Sequence, residues 1–172
     1  VPQGVRCAAL LLKEKTEMNR RNLQKHLKYI VPELRLALIK EPSVKPQTVY
    51  SPDCLEQFVE PLKHFSEEHF VSFHMNARNQ VIGYHSVSHG TVSESLVHPR
   101  EVFKAALLSN AYSIIVAHNH PGGSKTASSE DINISKTLIK AGDLMGVKVI
   151  DHIIVTADGL TSMREDYHYL WV

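Results

Sequence analysis

Cysteine is scarce in this chain. Its 172 residues hold two, Cys7 and Cys54, and no Cys-x-x-Cys pair, so neither a disulfide framework nor a cysteine zinc knuckle is expected. Long apolar runs are missing too. The longest near the N-terminus, Ala8 to Leu12, falls far below the ~20 residues that span a bilayer and is too short for a secretory signal core. These absences predict an intracellular, cytoplasmic protein. Net charge is almost absent, at +1, and gives no global reason to expect nucleic acid. An apolar fraction of 43% and a charged fraction of 22% are ordinary for globular chains and exclude wholesale disorder. The length allows one domain with a small appendage. Histidine is what the chain has in excess, with eleven residues.

The charge is unevenly spread. Residues 1–40 carry nine Lys/Arg against three Asp/Glu, a net of +6, which leaves −5 for the rest. Such a segment reads either as the solvated face of a helical arm or as a surface for nucleic acid or an acidic partner. Tyr29 is its only aromatic residue, so the aromatic–basic interleaving of single-strand binders is missing. Leu23, Leu27, Ile30 and Leu34 recur at helical spacing, with a break expected near Ile30–Val31 because Pro32 lies inside the pattern. Pro42, Pro46 and Pro52 mark a non-helical linker. The chain thus divides into a basic helical extension with its linker, 1–48, and a main domain, 49–172.

The main domain alternates between strand and helix patterns. Ser51 is placed to cap a helix from Pro52 that carries Leu55, Phe58, Val59 and Leu62. His69 to His74 and Val81 to Val87 read as strands around the turn Asn76-Ala77-Arg78-Asn79. Pro99 opens a helix, and Tyr112 to Ala117 is a short strand of the buried type. A second helix runs from Ser128 to near Gly146. Val147 to Thr156 is a strand, and Asp158-Gly159 turns the chain into Leu160 to Met163. This irregular alternation predicts an α/β fold with a mixed sheet flanked by helices.

The chemistry concentrates in His118-Asn119-His120-Pro121, followed by Ser128 and Asp131. Two histidines two apart at a strand end share a face. The glycine-containing loop lets a carboxylate in the first helical turn return to them. Two imidazoles and one carboxylate leave a fourth tetrahedral position for water, the pattern of a catalytic zinc site. Zinc lowers the pKa of that water to about 7. Each piece also has a plainer reading. Ser128 and Asp131 look like a capping box, although Glu or Gln is usual at the fourth position. Two histidines at a strand end can be a satisfied polar edge.

The spacing of His118, His120, Ser128 and Asp131 resembles the JAMM signature of the JAB/MPN metalloproteases. More narrowly, the chain is similar to their RadC-like bacterial branch. Gly90-Thr91, His98-Pro99-Arg100-Glu101 and Asp151-His152-Ile153-Ile154-Val155 support this. The resemblance covers about residues 50–172. It departs from the branch at Gly122, where serine is usual, and at Ala127, where proline is common. It implies a JAB/MPN, cytidine-deaminase-like architecture and zinc-dependent hydrolysis of an amide or isopeptide bond, with a peptide, an isopeptide or a ubiquitin-like protein as substrate. It implies Zn2+ held by His118, His120 and Asp131, with Ser128 donating to the oxyanion. A glutamate at the start of the first long strand would act as general base. Aligning Phe70-Val71-Ser72-Phe73 with the family strand selects Glu68, and Glu67 would point to the opposite face.

Nucleobase deamination is disfavoured, since the His-x-Glu and Pro-Cys-x-x-Cys pattern is absent. A second reading is a nucleic-acid-binding module acting through the basic arm, in line with the DNA-repair association of the branch's name. A third is a metal-bearing scaffold without turnover. His85 and His89 fall four apart and share a face if their strand runs on. His98 has no assigned role. Asp151 beside His152 suggests an Asp-His pair orienting a metal ligand.

Overall fold

A computed structural model describes residues 47–90 and 97–172. The basic helical extension, its expected break and most of the proline linker lie outside the described residues. Six strands form one mixed sheet in the order β1-β3-β2-β4-β5-β6. They are β1 (Gln47–Thr48), β2 (Glu68–Met75), β3 (Gln80–Gly90), β4 (Ser113–Asn119), β5 (Lys148–Thr156) and β6 (Gly159–Ser162). All neighbouring pairs are antiparallel except β4 and β5. Among the described residues no helix is long and apolar enough to cross a membrane.

Every residue of β4 is buried, as its unbroken apolar run predicts for a central strand. The strand runs two residues further than the apolar pattern, so His118 lies within it. The amide of His120 still donates to Val155 O at 2.8 Å, extending the ladder past β4. One sheet face packs Val71, Phe73, Met75, Ile115, Ala117, Ile153 and Val155 against Leu55, Val59 and Leu62. The other packs Phe70, Ile114, Val116 and Val149 against α2 (Pro99–Leu108) and α3 (Ser129–Met145). The chain ends in α4 (Met163–Asp166) and a 3-10 turn, His168–Trp171.

The helix expected from Pro52 is instead three short turns. A 3-10 turn, Pro52–Leu55, leads into α1 (Glu56–Val59) and a second 3-10 turn, Glu60–His64. Pro61 has no N–H to give and its ring crowds the preceding turn, so regular α geometry stops before it. Ser51 makes no capping hydrogen bond. Its hydroxyl sits 3.6 Å from Cys54 Sγ instead.

Two of the strand irregularities set which face the histidines reach. In β3, Ser86 pairs with Val71 and Ser88 with Phe70, so Val87 is an extra residue. His85 then shares the face of Ser72, while His89 shares that of His69. The expectation that His85 and His89 share a face is therefore wrong. In β5, Val149 pairs with Ile114 and Asp151 with Ile115, which makes Ile150 the extra residue. This shift turns His152 to the α2/α3 face, beside Val116.

Candidate metal centre

The site forms where the C-terminal end of β4 meets the first turn of α3. His118 and His120 alternate with Asn119 and point to the α3 side. Asn119 points the other way. Its Oδ1 accepts the His69 amide at 2.7 Å, and its Nδ2 donates to Glu67 O at 3.0 Å and Phe65 O at 3.4 Å. This side chain ties the start of β2 to the histidine strand. The loop after His120 turns at Gly123, whose φ of +78° suits glycine and whose amide donates to His120 O at 3.0 Å. Gly122 has open space where a Cβ would stand.

Helix α3 begins with a full capping box. Ser128 Oγ accepts the Asp131 amide at 3.1 Å, and Asp131 Oδ2 accepts the Ser128 amide at 2.7 Å. Aspartate here does the work of the usual glutamate. The Ser128 hydroxyl also donates to Asp131 Oδ2 at 2.7 Å. That bond uses the proton that donation to an oxyanion, which the resemblance implies, would need. At its other end α3 closes on Gly146 in the left-handed conformation, φ 69°.

The capped carboxylate reaches both histidines. Asp131 Oδ1 lies 3.1 Å from His118 Nε2, and Oδ2 lies 3.3 Å from His120 Nε2. The two Nε2 atoms are 2.9 Å apart. Burial works against the Asp131 charge, but His118 and His120 more than offset it and hold the carboxyl far below its usual range. The same carboxylate raises the His120 imidazole, helped more weakly by the charge of Glu68. The side chains are 6% (His118), 13% (His120) and 14% (Asp131) exposed, so the cluster is sheltered yet open to a small reactant.

The donor set fits a metal ion. Nδ1 of His120 lies 2.7 Å from Ser124 O, which can only accept, so Nδ1 carries a proton and the neutral ring offers its lone pair at Nε2. Three groups able to ligate thus lie within 4.8 Å of one another. Tetrahedral zinc with bonds of about 2.0–2.1 Å separates its ligand atoms by about 3.3 Å. The two Nε2 atoms, 2.9 Å apart, are near that, and each faces a different oxygen of the Asp131 carboxylate, at 3.1 and 3.3 Å.

Glu68 belongs to the same face. In the antiparallel register Phe70 lies opposite His118, so Glu68, two residues earlier, approaches His120. Glu67 precedes the strand, is exposed, and engages Asn119 through its backbone oxygen. Of the remaining histidines, His98 caps α2 through its carbonyl, not its ring. His152 is fully buried and lies directly behind His118, with Nε2 at 2.8 Å from His118 Nδ1. Burial pushes its imidazole well down.

The Asp151–His152 pairing expected from sequence does not orient the imidazole. Asp151 faces away and accepts from Ser162 Oγ at 2.6 Å and the amides of His152 at 2.7 Å and Arg164 at 3.0 Å. Its carboxyl is pushed up by burial. The ring partner is Ser135, whose hydroxyl stands 2.6 Å from His152 Nδ1. Sequence reasoning missed Ser135. Its one signal was a polar residue four positions after Asp131, on the same face of the helix.

The RadC-like JAB domain family matches residues 49–168. A UPF0758 protein of Caldanaerobacter subterraneus subsp. tengcongensis is 42% identical over 123 residues, covering 71% of this chain and 53% of that protein. A UPF0758 protein of Symbiobacterium thermophilum is 47% identical over 116 residues, covering 67% and 50%. One from Bacillus cereus is 42% identical over 116 residues, covering 67% and 52%. The chain spans about half the length of these curated relatives.

Proposed function

The chain belongs to the RadC-like JAB family, and from that premise we propose that it is a zinc-dependent hydrolase cleaving an amide or isopeptide bond. One observation carries the reading: His118, His120 and Asp131 converge their ligand atoms within 4.8 Å, at the end of a strand that also brings Glu68 alongside. Zinc, when bound there, supplies a Lewis acid and a water acidified to a pKa near 7.

The chain's own groups do the rest. Asp131 brings negative charge to the site, and its capping bonds fix it on α3. Glu68 takes a proton from the attacking water and returns it to the departing amine nitrogen. Such general acid–base work is worth roughly 10²–10⁴ in rate. Ser128 offers the substrate carbonyl oxygen a hydroxyl donor once its proton turns away from Asp131 Oδ2. The substrate class is a peptide, an isopeptide or a ubiquitin-like protein conjugate, and the cytoplasm is its expected compartment. The competing nucleic-acid reading rests on the basic segment, which lies outside the described residues.

The test pairs metal analysis with turnover on peptide- and isopeptide-linked fluorogenic substrates. One zinc per chain is expected in the wild type and in Glu68→Gln, with turnover lost by roughly 10²-fold or more in the variant. His118→Ala is expected to lose the zinc. A Glu68→Gln protein with full turnover would sink the reading.

A further inference from the structure

Behind the three ligand groups runs a chain of hydrogen bonds whose direction can be read from its end. Ser135 Oγ lies 2.6 Å from the main-chain oxygen of Asp131, one helical turn earlier. A carbonyl oxygen only accepts, so the serine proton points there. Met163 Sδ, at 3.7 Å, is a poor competitor. With its proton committed, Ser135 Oγ must accept from His152 Nδ1, 2.6 Å away.

A neutral imidazole has one N–H. His152 is wholly buried, and its two ring nitrogens are taken by Ser135 and His118 rather than by a carboxylate. A charge there would lack a partner, so the ring is neutral and its Nε2 is a lone pair. That lone pair stands 2.8 Å from His118 Nδ1, which must donate. In the neutral ring that a metal ligand must be, the opposite nitrogen of His118, Nε2, is then the lone pair, and it is the atom aimed at Asp131 Oδ1 and His120 Nε2.

We propose that Ser135 and His152 are positioning residues for the metal centre, a one-way relay that holds His118 in its Nδ1–H tautomer and so presents Nε2 to the ion. The proposal rests on the metallohydrolase reading and deepens it. The relay begins at one ligand, His118, and ends on the backbone of another, Asp131. It therefore locks the histidine strand and helix α3 into a common register as well as setting a tautomer. His120 reaches the same tautomer by a separate route, through Ser124 O. Outer partners of this kind typically change metal affinity by 10–100-fold when removed.

The test compares zinc affinity, by competition with a chelator, in the wild type and three variants. His152→Phe keeps the ring volume and loses both nitrogens. It is expected to weaken zinc by roughly 10–100-fold. Ser135→Ala, a minimal truncation, is expected to weaken it in the same direction. His152→Gln can place a carbonyl oxygen where Nε2 was and is expected to recover part of the loss, which a merely space-filling role would not allow. Nitrogen NMR of the wild-type protein gives the second readout, with His152 expected as the Nδ1–H tautomer. An Nε2–H tautomer at His152, or wild-type zinc affinity in both His152→Phe and Ser135→Ala, overturns the relay while leaving the hydrolase reading in place. A wild-type chain that takes up no zinc overturns both.

Discussion

Asn119 Oδ1 accepts the backbone amide of His69 at 2.7 Å, so the residue between the two histidines of the candidate metal centre holds the strand that carries Glu68. The His-Asn-His run therefore serves both sheet faces. Its histidines face the candidate metal site. Its asparagine, 2% exposed, pins the start of β2 from the other side. Asn119→Ala removes three hydrogen bonds and leaves their backbone partners short. A stability loss of about 1–3 kcal/mol is expected in urea denaturation. Zinc affinity is expected to change little and turnover to fall clearly, because Glu68 drifts while the ligands stay. Loss of zinc with unchanged turnover per bound ion would contradict that division.

Ser128→Ala deletes the acceptor for the Asp131 amide and the donor to Asp131 Oδ2. Helix caps of this type are worth about 0.5–2 kcal/mol. The variant is expected to lose that much stability, to melt lower, and to bind zinc more weakly, because its carboxylate ligand is less constrained. Thermal melts with and without zinc check both effects. A melt unchanged in either state would count against the capping role.

The pH dependence of folding has an identifiable contributor outside the candidate metal centre. Burial, reinforced by the nearby His85 imidazole, pushes the His74 imidazole down from 6.5 to about 4. The folded state then binds fewer protons than the unfolded chain between those values. The contribution is fully present above the unfolded value and is lost as pH falls through 6.5 toward 4. A loss on the order of 1–3 kcal/mol is expected by about pH 4. His74→Phe is expected to flatten this limb relative to wild type. Parallel acid limbs in urea titrations of the two proteins would exclude His74 as a source.

Gly142 shows how closely α3 approaches the strand that follows it. A Cβ there would sit 2.5 Å from Val147 O, 3.2 Å from Phe103 Cζ and 3.4 Å from Val149 Cγ2. Alanine would gain about 1 kcal/mol of helix propensity, but the contact with backbone cannot yield as a side chain can. Gly142→Ala is expected to destabilise by about 1–3 kcal/mol overall. A denaturation midpoint at or above wild type would show that the helix can shift.

The element pattern was largely legible. The buried strand before His118, the helix opening at Ser128 and closing at Gly146, and the turn at Asp158-Gly159 all follow from periodicity and local turn chemistry. The segment after Pro52 was misread because its apolar spacing is helical while Pro61 forbids regular continuation. His85 and His89 were misread because a strand bulge shifts the alternation by one, and nothing local marks Val87 as the extra residue.

The sequence by itself determined the candidate ligand set. His118 and His120 share a face because strand periodicity is two, and Asp131 falls in a first helical turn because Ser128 caps it. Tertiary structure alone decided what stands behind them. The extra residue at Ile150 turns His152 rather than its neighbour toward His118, and α3 packing brings Ser135 against that ring. Side-chain spacing along one segment fixes a face, but contacts between segments depend on register, and one bulge resets the register for every residue that follows.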